Sequence, residues 1–251
     1  MSPLRIEDAA LTDTGLVRAA NEDSHLCLAE ERVWVVVDGM GGHDNGRFAA
    51  DAIVEAVRSA SMPEAFELAC DALGAAIQAA NQRIHAAAKE VGKLMGSTVV
   101  TLLMRGHEFA VLWAGDSRAY LLRGDRLTPL THDHSQVQAM LDRGFLTPEQ
   151  AADHPMRHVL ARAVGVQSSL EIDAIRDQVQ NHDLFLLSSD GLHGVLSDDE
   201  IAAILRRQGA GAAPALVKAC LDRGAPDNVT VVLVSAEEPT LLELAGQEGA
   251  T

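Results

Sequence analysis

Apolar residues along this chain fall mostly into short runs broken by turn-forming residues, and the runs have the length of strands. Residues 33–37, 97–104, 108–114, 119–123, 126–130, 170–175, 183–187 and 229–234 are each rich in β-branched or other apolar side chains, which suits a pleated, packed surface. Gly124-Asp125 stands between two of these runs as a two-residue turn. That predicts a hairpin over 120–127, and so antiparallel sheet.

A different period governs residues 63–91. Phe66, Cys70, Leu73, Ile77, Ala80, Ile84 and Val91 recur at intervals of three, four and seven, an apolar stripe along one face of a long helix packed on a sheet. Residues 44–58 read as a shorter helix before it. Ser197-Asp198-Asp199-Glu200 opens another, with Ser197 as the cap and Glu200 placed to return the hydrogen bond. Helices come in pairs and strands in antiparallel groups, which argues for stacked sheets with helices outside and against a doubly wound parallel sheet. Residues 135–162 break the pattern, because Gly144, Pro148 and Pro155 interrupt two brief helical pieces; they read as an inserted lobe. The expected organisation is one domain over 1–236 carrying that lobe, followed by a small-residue-rich, flexible tail over 237–251.

Composition then narrows the possibilities. Hydrophobic residues make up 47% but aromatics only 3%, so the core has to be built from Ala, Val, Leu and Ile. No apolar run approaches the roughly 20 residues needed to cross a bilayer, and the first residues lack the basic-then-apolar order of a secretory signal. A cytoplasmic, monomeric protein without a membrane partner is expected. Acidic residues outnumber basic ones 36 to 20, for a formal charge of −16, a surface that repels nucleic-acid backbones and anionic lipid. Cys27, Cys70 and Cys220 are widely spaced and form no Cys-x-x-Cys pair, as reduced thiols do. Val33, Ala76 and Pro226 stand six positions after them. A cysteine-based phosphatase needs Arg there, so that chemistry is excluded.

Four aspartates share one setting. Asp38 follows the run 33–37 and precedes Gly39; Asp116 follows 111–114 and Gly115; Asp190 follows 184–189 and precedes Gly191; Asp227 precedes Asn228 and the run 229–234. A single Asp-Gly is ordinarily a turn. Four carboxylates at strand ends that converge would be too close to remain ionised unaided, and divalent cations remove the conflict. An all-oxygen set with no Cys, and no His at ligand spacing, selects Mg²⁺ or Mn²⁺ over Zn²⁺. Two such ions can acidify a bridging water and clamp a phosphate for in-line attack. Arg18, just before the acidic pair Glu22-Asp23, has the planar fork that grips two phosphate oxygens. His132 and His134 have no third His or carboxylate at a metallohydrolase spacing, and Pro155 intervenes between His154 and His158.

Taken in order, Arg18…Asn21-Glu22-Asp23, Asp38-Gly39-Met40-Gly41-Gly42-His43, Gly115-Asp116-Ser117-Arg118, Ser189-Asp190-Gly191 and Pro226-Asp227-Asn228 resemble the metal-dependent protein phosphatases of the 2C type, most closely their compact bacterial stand-alone members. Thr131-His132-Asp133-His134-Ser135 and the stretch 159–165 are also typical, and the match runs over 12–234. The resemblance implies an α+β fold, a four-layer α-β-β-α sandwich with two central antiparallel sheets flanked by helix pairs, and 135–162 as a flap lobe. It implies hydrolysis of phosphoserine and phosphothreonine in proteins by a metal-bridging water, without a covalent intermediate, in opposition to a cognate kinase. By the same resemblance Asp38 bridges two Mn²⁺ or Mg²⁺ ions, Asp190 and Asp227 complete the first, and the Gly39 carbonyl serves the second. Glu22 and Asp23 match the acidic pair near the second ion, Asp116 helps hold a weaker third, and Arg18 binds the phosphate.

Two positions depart from the family pattern. Met40 stands where animal relatives carry a histidine, and Gly194 where many carry a second acid. The expectation is therefore a weak third ion, with a water associated with Asp116 rather than His43 protonating the leaving group. Two rival readings are a non-catalytic regulatory module of the same fold, which loss of the aspartates would signal, and a two-metal phosphodiesterase, which the acidic charge and missing basic groove disfavour.

Overall fold

A computed structural model describes residues 4–42, 44–152, 154–157 and 159–239. One antiparallel sheet contains β1 (Arg5–Asp13), β7 (Arg118–Arg123), β8 (Arg126–Pro129), β10 (Asp183–Ser188) and β11 (Val229–Glu237), in the order β1-β11-β10-β7-β8. The other contains β2 (Asp23–Leu28), β3 (Val33–Met40), β5 (Val99–Arg105), β6 (Glu108–Ala114) and β9 (Asp173–Gln178), in the order β2-β3-β5-β6-β9. A two-residue strand, β4 (Gly96–Ser97), pairs with the end of β3.

The strands read as continuous apolar runs because most are buried on both faces. On β3, Val33, Val35 and Val37 face helices α1 (Asp44–Ser59) and α2 (Phe66–Val91), while Trp34 and Val36 face the other sheet. On β10, Phe185 and Leu187 face inward, and Leu184 and Leu186 meet the outer helices α5 (Asp190–His193), α6 (Asp198–Gln208) and α7 (Ala213–Leu221). Three apolar layers therefore separate four layers of secondary structure, the expected α-β-β-α sandwich. Between the sheets Phe109 meets Phe185 edge-on, with ring centroids 4.8 Å apart, a favoured aromatic geometry.

Local signals behave as their chemistry dictates. The 120–127 hairpin turns at Gly124-Asp125, with Gly124 at φ +59°. The long helix starts at Phe66 and ends on Gly92 in the left-handed conformation, which favours glycine. Ser197 and Glu200 form the reciprocal cap of α6. Two short helices, α3 (Gln136–Asp142) and α4 (Pro148–Ala152), lie in the lobe over 135–162, whose base is closed by a bridge between Ser135 and Leu160.

The strand list from sequence was incomplete and in one place displaced. β1 and β2 were not among the expected strands: β1 is an exposed edge strand of mixed polarity that β11 specifies through nine paired positions. Strand β9 begins at Asp173, not at residue 170, and is itself mostly exposed. The apolar signal there comes from Leu170 and Ile172 packing under the helices. Helix α7 went unread because its nine residues are too few to display a period. Of the expected tail, residues 240–251 lie outside those described. Among the described residues no helix is long and apolar enough to cross a membrane.

One charged strap joins the two sheets away from the cleft. Arg123 donates to both oxygens of Asp183, at 2.8 and 2.7 Å, and to the Gln178 carbonyl at 2.8 Å; the Asp183 side chain is fully buried. Arg123→Met leaves that buried carboxylate without its counter-charge and with only the Gln180 N–H as a donor among these contacts, so urea unfolding is expected to show a loss of about 3 kcal/mol. Arg123→Lys restores only part of it, because an ammonium does not reproduce the two-pronged contact.

Candidate active site

Register explains why the acids converge. Antiparallel pairing sets Asp23 directly opposite Asp38 and Asp13 opposite Val229, and places Ser188 beside both Val231 and Arg118. The ends of β3, β6 and β10 and the starts of β2, β7 and β11 therefore share one edge of the sandwich. The loops there enclose a cleft of about 640 Å³ lined by Arg18, Glu22, Asp38, Gly39, Asp116, Asp190 and Asp227, among others. Asp23 is the expected ligand that does not line it. It lies beneath, 5% exposed, where one oxygen accepts hydrogen bonds from Ser189 and Thr230, both at 2.7 Å. Since Asp23 belongs to one sheet and its two donors to the other side of the sandwich, this contact pins the layers together under the cleft floor.

The backbone around Asp38 is fixed by hydroxyls. Its N–H donates to Thr98 Oγ1 at 3.0 Å, and its carbonyl accepts from Ser97 Oγ and the Thr98 N–H, both at 2.9 Å. Gly39 is required by close approach: a Cβ there would stand 2.2 Å from the Gly46 carbonyl oxygen at the start of α1. Gly115, just before Asp116, has φ +117°, and a Cβ would stand 2.7 Å from Thr98 side-chain atoms. Only glycine suits such a position.

Arg18 lies on the loop between β1 and β2, and donates to Asp227 Oδ2 at 2.5 Å. Asn228 organises that loop: its amide donates to the Thr14 and Ala20 carbonyls at 2.9 and 3.1 Å, and its Oδ1 accepts the Glu22 N–H at 2.8 Å. Sequence reasoning gave Asn228 no role, although it stands within the Pro226-Asp227-Asn228 motif. It also gave none to Arg157, which brings a second guanidinium to the cleft wall from the lobe. Met40 and Gly194 both line the cleft, so a histidine or an acid at those positions would have faced it. His43, the alternative proton donor, lies outside the described residues. Of the other histidines, His132 pairs with Asp142 at 2.9 Å and His154 accepts the Met156 N–H.

The electrostatics are those of crowded acids. Burial, then Asp23 and Asp190, hold the Asp38 carboxyl well above the ordinary carboxylate range. Burial and then Asp190 push Asp116 up to about 7. Burial also raises Asp23 to about 7, against the two hydroxyls that favour its charged form. Arg18 is pushed further up by its bond to Asp227 and by Asp38 and Asp190. An all-oxygen donor set under such repulsion suits hard divalent cations. Among the described residues, no group of three or more His, Cys, Asp or Glu side chains is already closed to the spacing of a metal cage. Asp227 is turned onto Arg18 at 2.5 Å. The carboxylates lining the cleft, with the Gly39 backbone, fit the role of cation ligands.

The fold and cleft define a class: an α-β-β-α sandwich with a carboxylate-lined, arginine-flanked cleft at one end. Residues 17–221 match the family model described as Protein phosphatase 2C. The serine/threonine protein phosphatase PstP of Mycobacterium tuberculosis is 38% identical over 228 residues, covering 90% of this chain and 44% of that protein; the chain thus spans less than half of that curated relative. PppA, a key regulatory component of T6SS in Pseudomonas aeruginosa, superposes with a TM-score of 0.88 at 39% identity, covering 94% of this chain and all of PppA. The catalytic domain of PstP in complex with two manganese ions superposes at 0.84 with 34% identity, over 94% of this chain and all of that domain. This chain belongs to the protein phosphatase 2C family.

Two outcomes follow from the site. Asp23 and Asp116 hold their protons more tightly than free aspartate does, so the stability they contribute is complete below their ordinary pKa and lost as pH rises through about 7. Chelator-treated protein is therefore expected to melt at progressively lower temperature between about pH 4 and pH 7 and to level off above that, and Mn²⁺ to raise the melting temperature more at pH 7 than at pH 5. Asn228→Ala frees the Arg18 loop from three contacts, and is expected to raise KM for a small phosphomonoester while circular dichroism shows the fold intact.

Proposed function

We propose that this chain is a metal-dependent serine/threonine protein phosphatase, hydrolysing phosphoserine and phosphothreonine in proteins and so opposing a cognate kinase. One observation carries the reading: Asp38, Asp190 and Asp227 meet Arg18 in a single cleft of a chain that matches the family over residues 17–221. Two Mn²⁺ or Mg²⁺ ions would be held by Asp38, Asp190 and Asp227 and the Gly39 carbonyl, with Glu22 beside the second. Bound there, the ions supply Lewis acidity to the phosphate and to a water.

The chain's own groups do the rest. Arg18, now paired with Asp227, exchanges a carboxylate for the non-bridging phosphate oxygens, which its fork fits equally well. The Asp38 backbone is held by Thr98 and Ser97, which fixes the point from which its carboxylate enters the cleft. Asp116 lines the same cleft and is 8% exposed, as the group associated with a weaker third ion. The lobe contributes Arg157 and Leu160 to the rim, beside a second groove of about 490 Å³ that shares Met40 and Leu160 with the cleft, leaving room for the chain on either side of a phosphorylated residue.

The reading is tested with a chromogenic phosphomonoester, a phosphothreonine peptide and a phosphodiester, each with and without Mn²⁺. Mn²⁺-dependent turnover of the first two supports it; turnover of the diester alone, or of none, overturns it. Asp38→Asn is expected to abolish nearly all hydrolysis while leaving the fold intact. Arg18→Ala is expected chiefly to raise KM, by about ten- to a hundredfold, as loss of a charge-assisted hydrogen bond worth about 1.5–3 kcal/mol implies. An unchanged KM makes Arg18 a surface residue.

A further inference from the structure

His134, in the stretch between β8 and the lobe, belongs to no step above, yet it occupies a junction. Its side chain is 9% exposed, and its ring lies nearly parallel to Trp113, with centroids 6.0 Å apart and planes 18° apart. Its Nδ1 accepts the Gly115 N–H at 3.2 Å, and its own N–H donates to the Gly115 carbonyl at 2.9 Å. One residue thus holds Gly115 by both its amide and its carbonyl. From the other side, Nε2 lies 3.3 Å from Asp173 Oδ2 and 3.2 Å from Arg162 Nη1. The His134 carbonyl accepts the Ala161 N–H at 2.7 Å and the Arg162 N–H at 3.4 Å, where the lobe rejoins the body.

The ring proton can be placed from these partners. A backbone N–H is always a donor, so Nδ1 carries no proton and Nε2 carries it. Nε2–H then faces Asp173 Oδ2. Arg162 is itself bound to Asp173 Oδ1 at 2.5 Å and Glu171 at 3.0 Å, and so needs no acceptor from the ring. Gly115 is the left-handed residue on the crossing from β6 to β7, immediately before Asp116. Rotating its peptide plane would swing the Asp116 carboxylate across the cleft.

We propose that His134 is a positioning residue: by accepting the Gly115 N–H it sets the direction of Asp116, and it ties that setting to the base of the lobe at Ala161-Arg162. The inference rests on the reading that Asp116 works in the cleft. Misplacing a reacting group by about 1 Å can cost on the order of a hundredfold in rate, so a joint of this kind acts on turnover rather than on substrate affinity.

Two isosteres separate the two edges of the ring. In His134→Asn the amide oxygen replaces Nδ1 and keeps the bond to Gly115; in His134→Gln the amide reaches toward Asp173 and Arg162 and leaves Gly115 without an acceptor. Both are compared with His134→Ala and Asp116→Ala for kcat and KM on a chromogenic phosphomonoester at saturating Mn²⁺, for Mn²⁺ binding by titration calorimetry, and for melting temperature. The expectation is that His134→Gln and His134→Ala lose about ten- to a hundredfold in kcat with KM nearly unchanged, bind the weakest Mn²⁺ less tightly, and that His134→Asn keeps most of both. Should His134→Ala not fold, the Asn and Gln pair decides. Full activity in His134→Gln, or equal losses in Asn and Gln, overturns the proposal while leaving Asp116 its role. Unchanged kcat in Asp116→Ala removes the reading beneath it and the proposal with it.

Discussion

Like charges gathered in a small, half-buried space repel, and this molecule concentrates its repulsion at one end of a rigid sandwich. Asp38 sits where burial and the neighbouring acids Asp23, Asp190, Asp116 and Asp227 all disfavour its charge. A flexible scaffold would relieve that strain by moving the acids apart. Here each acid stands at the end of a strand whose two faces are packed into separate cores, so the repulsion is relieved by protonation, by a guanidinium, or by bound cations. In the structure Arg18 does part of this through Asp227.

Rigidity at the cleft comes from small hydroxyls rather than from charge. Ser189 and Thr230 reach across the sandwich to Asp23, Thr98 and Ser97 hold the Asp38 backbone, and Thr98 meets Ser117 at 2.6 Å. These residues are nearly or wholly buried, and each hydroxyl is partnered, which keeps the cost of burying polar groups low. The same logic extends outward through Asn228, which fastens the Arg18 loop, and His134, which fastens Gly115. Apart from Arg18 on Asp227, the backbone around the cleft is thus held by neutral donors and acceptors that add no charge to an already acidic site.

Much of this architecture was legible in the chain. The runs of β3, β10 and β11, the stripe of α2, the hairpin at Gly124-Asp125 and the cap at Ser197 are local consequences of period and backbone preference. Asp38, Asp190 and Asp227 were legible for the same reason, because each ends or begins an apolar run beside a residue that permits tight geometry. β1 was not, since an exposed edge strand has no apolar pattern and takes its conformation from its partner. Asp23 was legible as an acid beside Glu22 but not as a buried tie between sheets. Its burial depends on donors that lie 166 and 207 residues away.

What the sequence by itself determined, then, is the inner strands, the long helix, the capped helix and the carboxylates at the strand ends, because strand period, helix stripe and turn chemistry act over a few residues. What only the tertiary structure decided is which groups share the cleft and what orients them: Arg18 on Asp227 across 209 positions, Asn228 under Glu22 across 206, His134 on Gly115 across 19. These contacts follow from strand order and register, and register is set by the packing of three apolar layers against one another, which no local window contains.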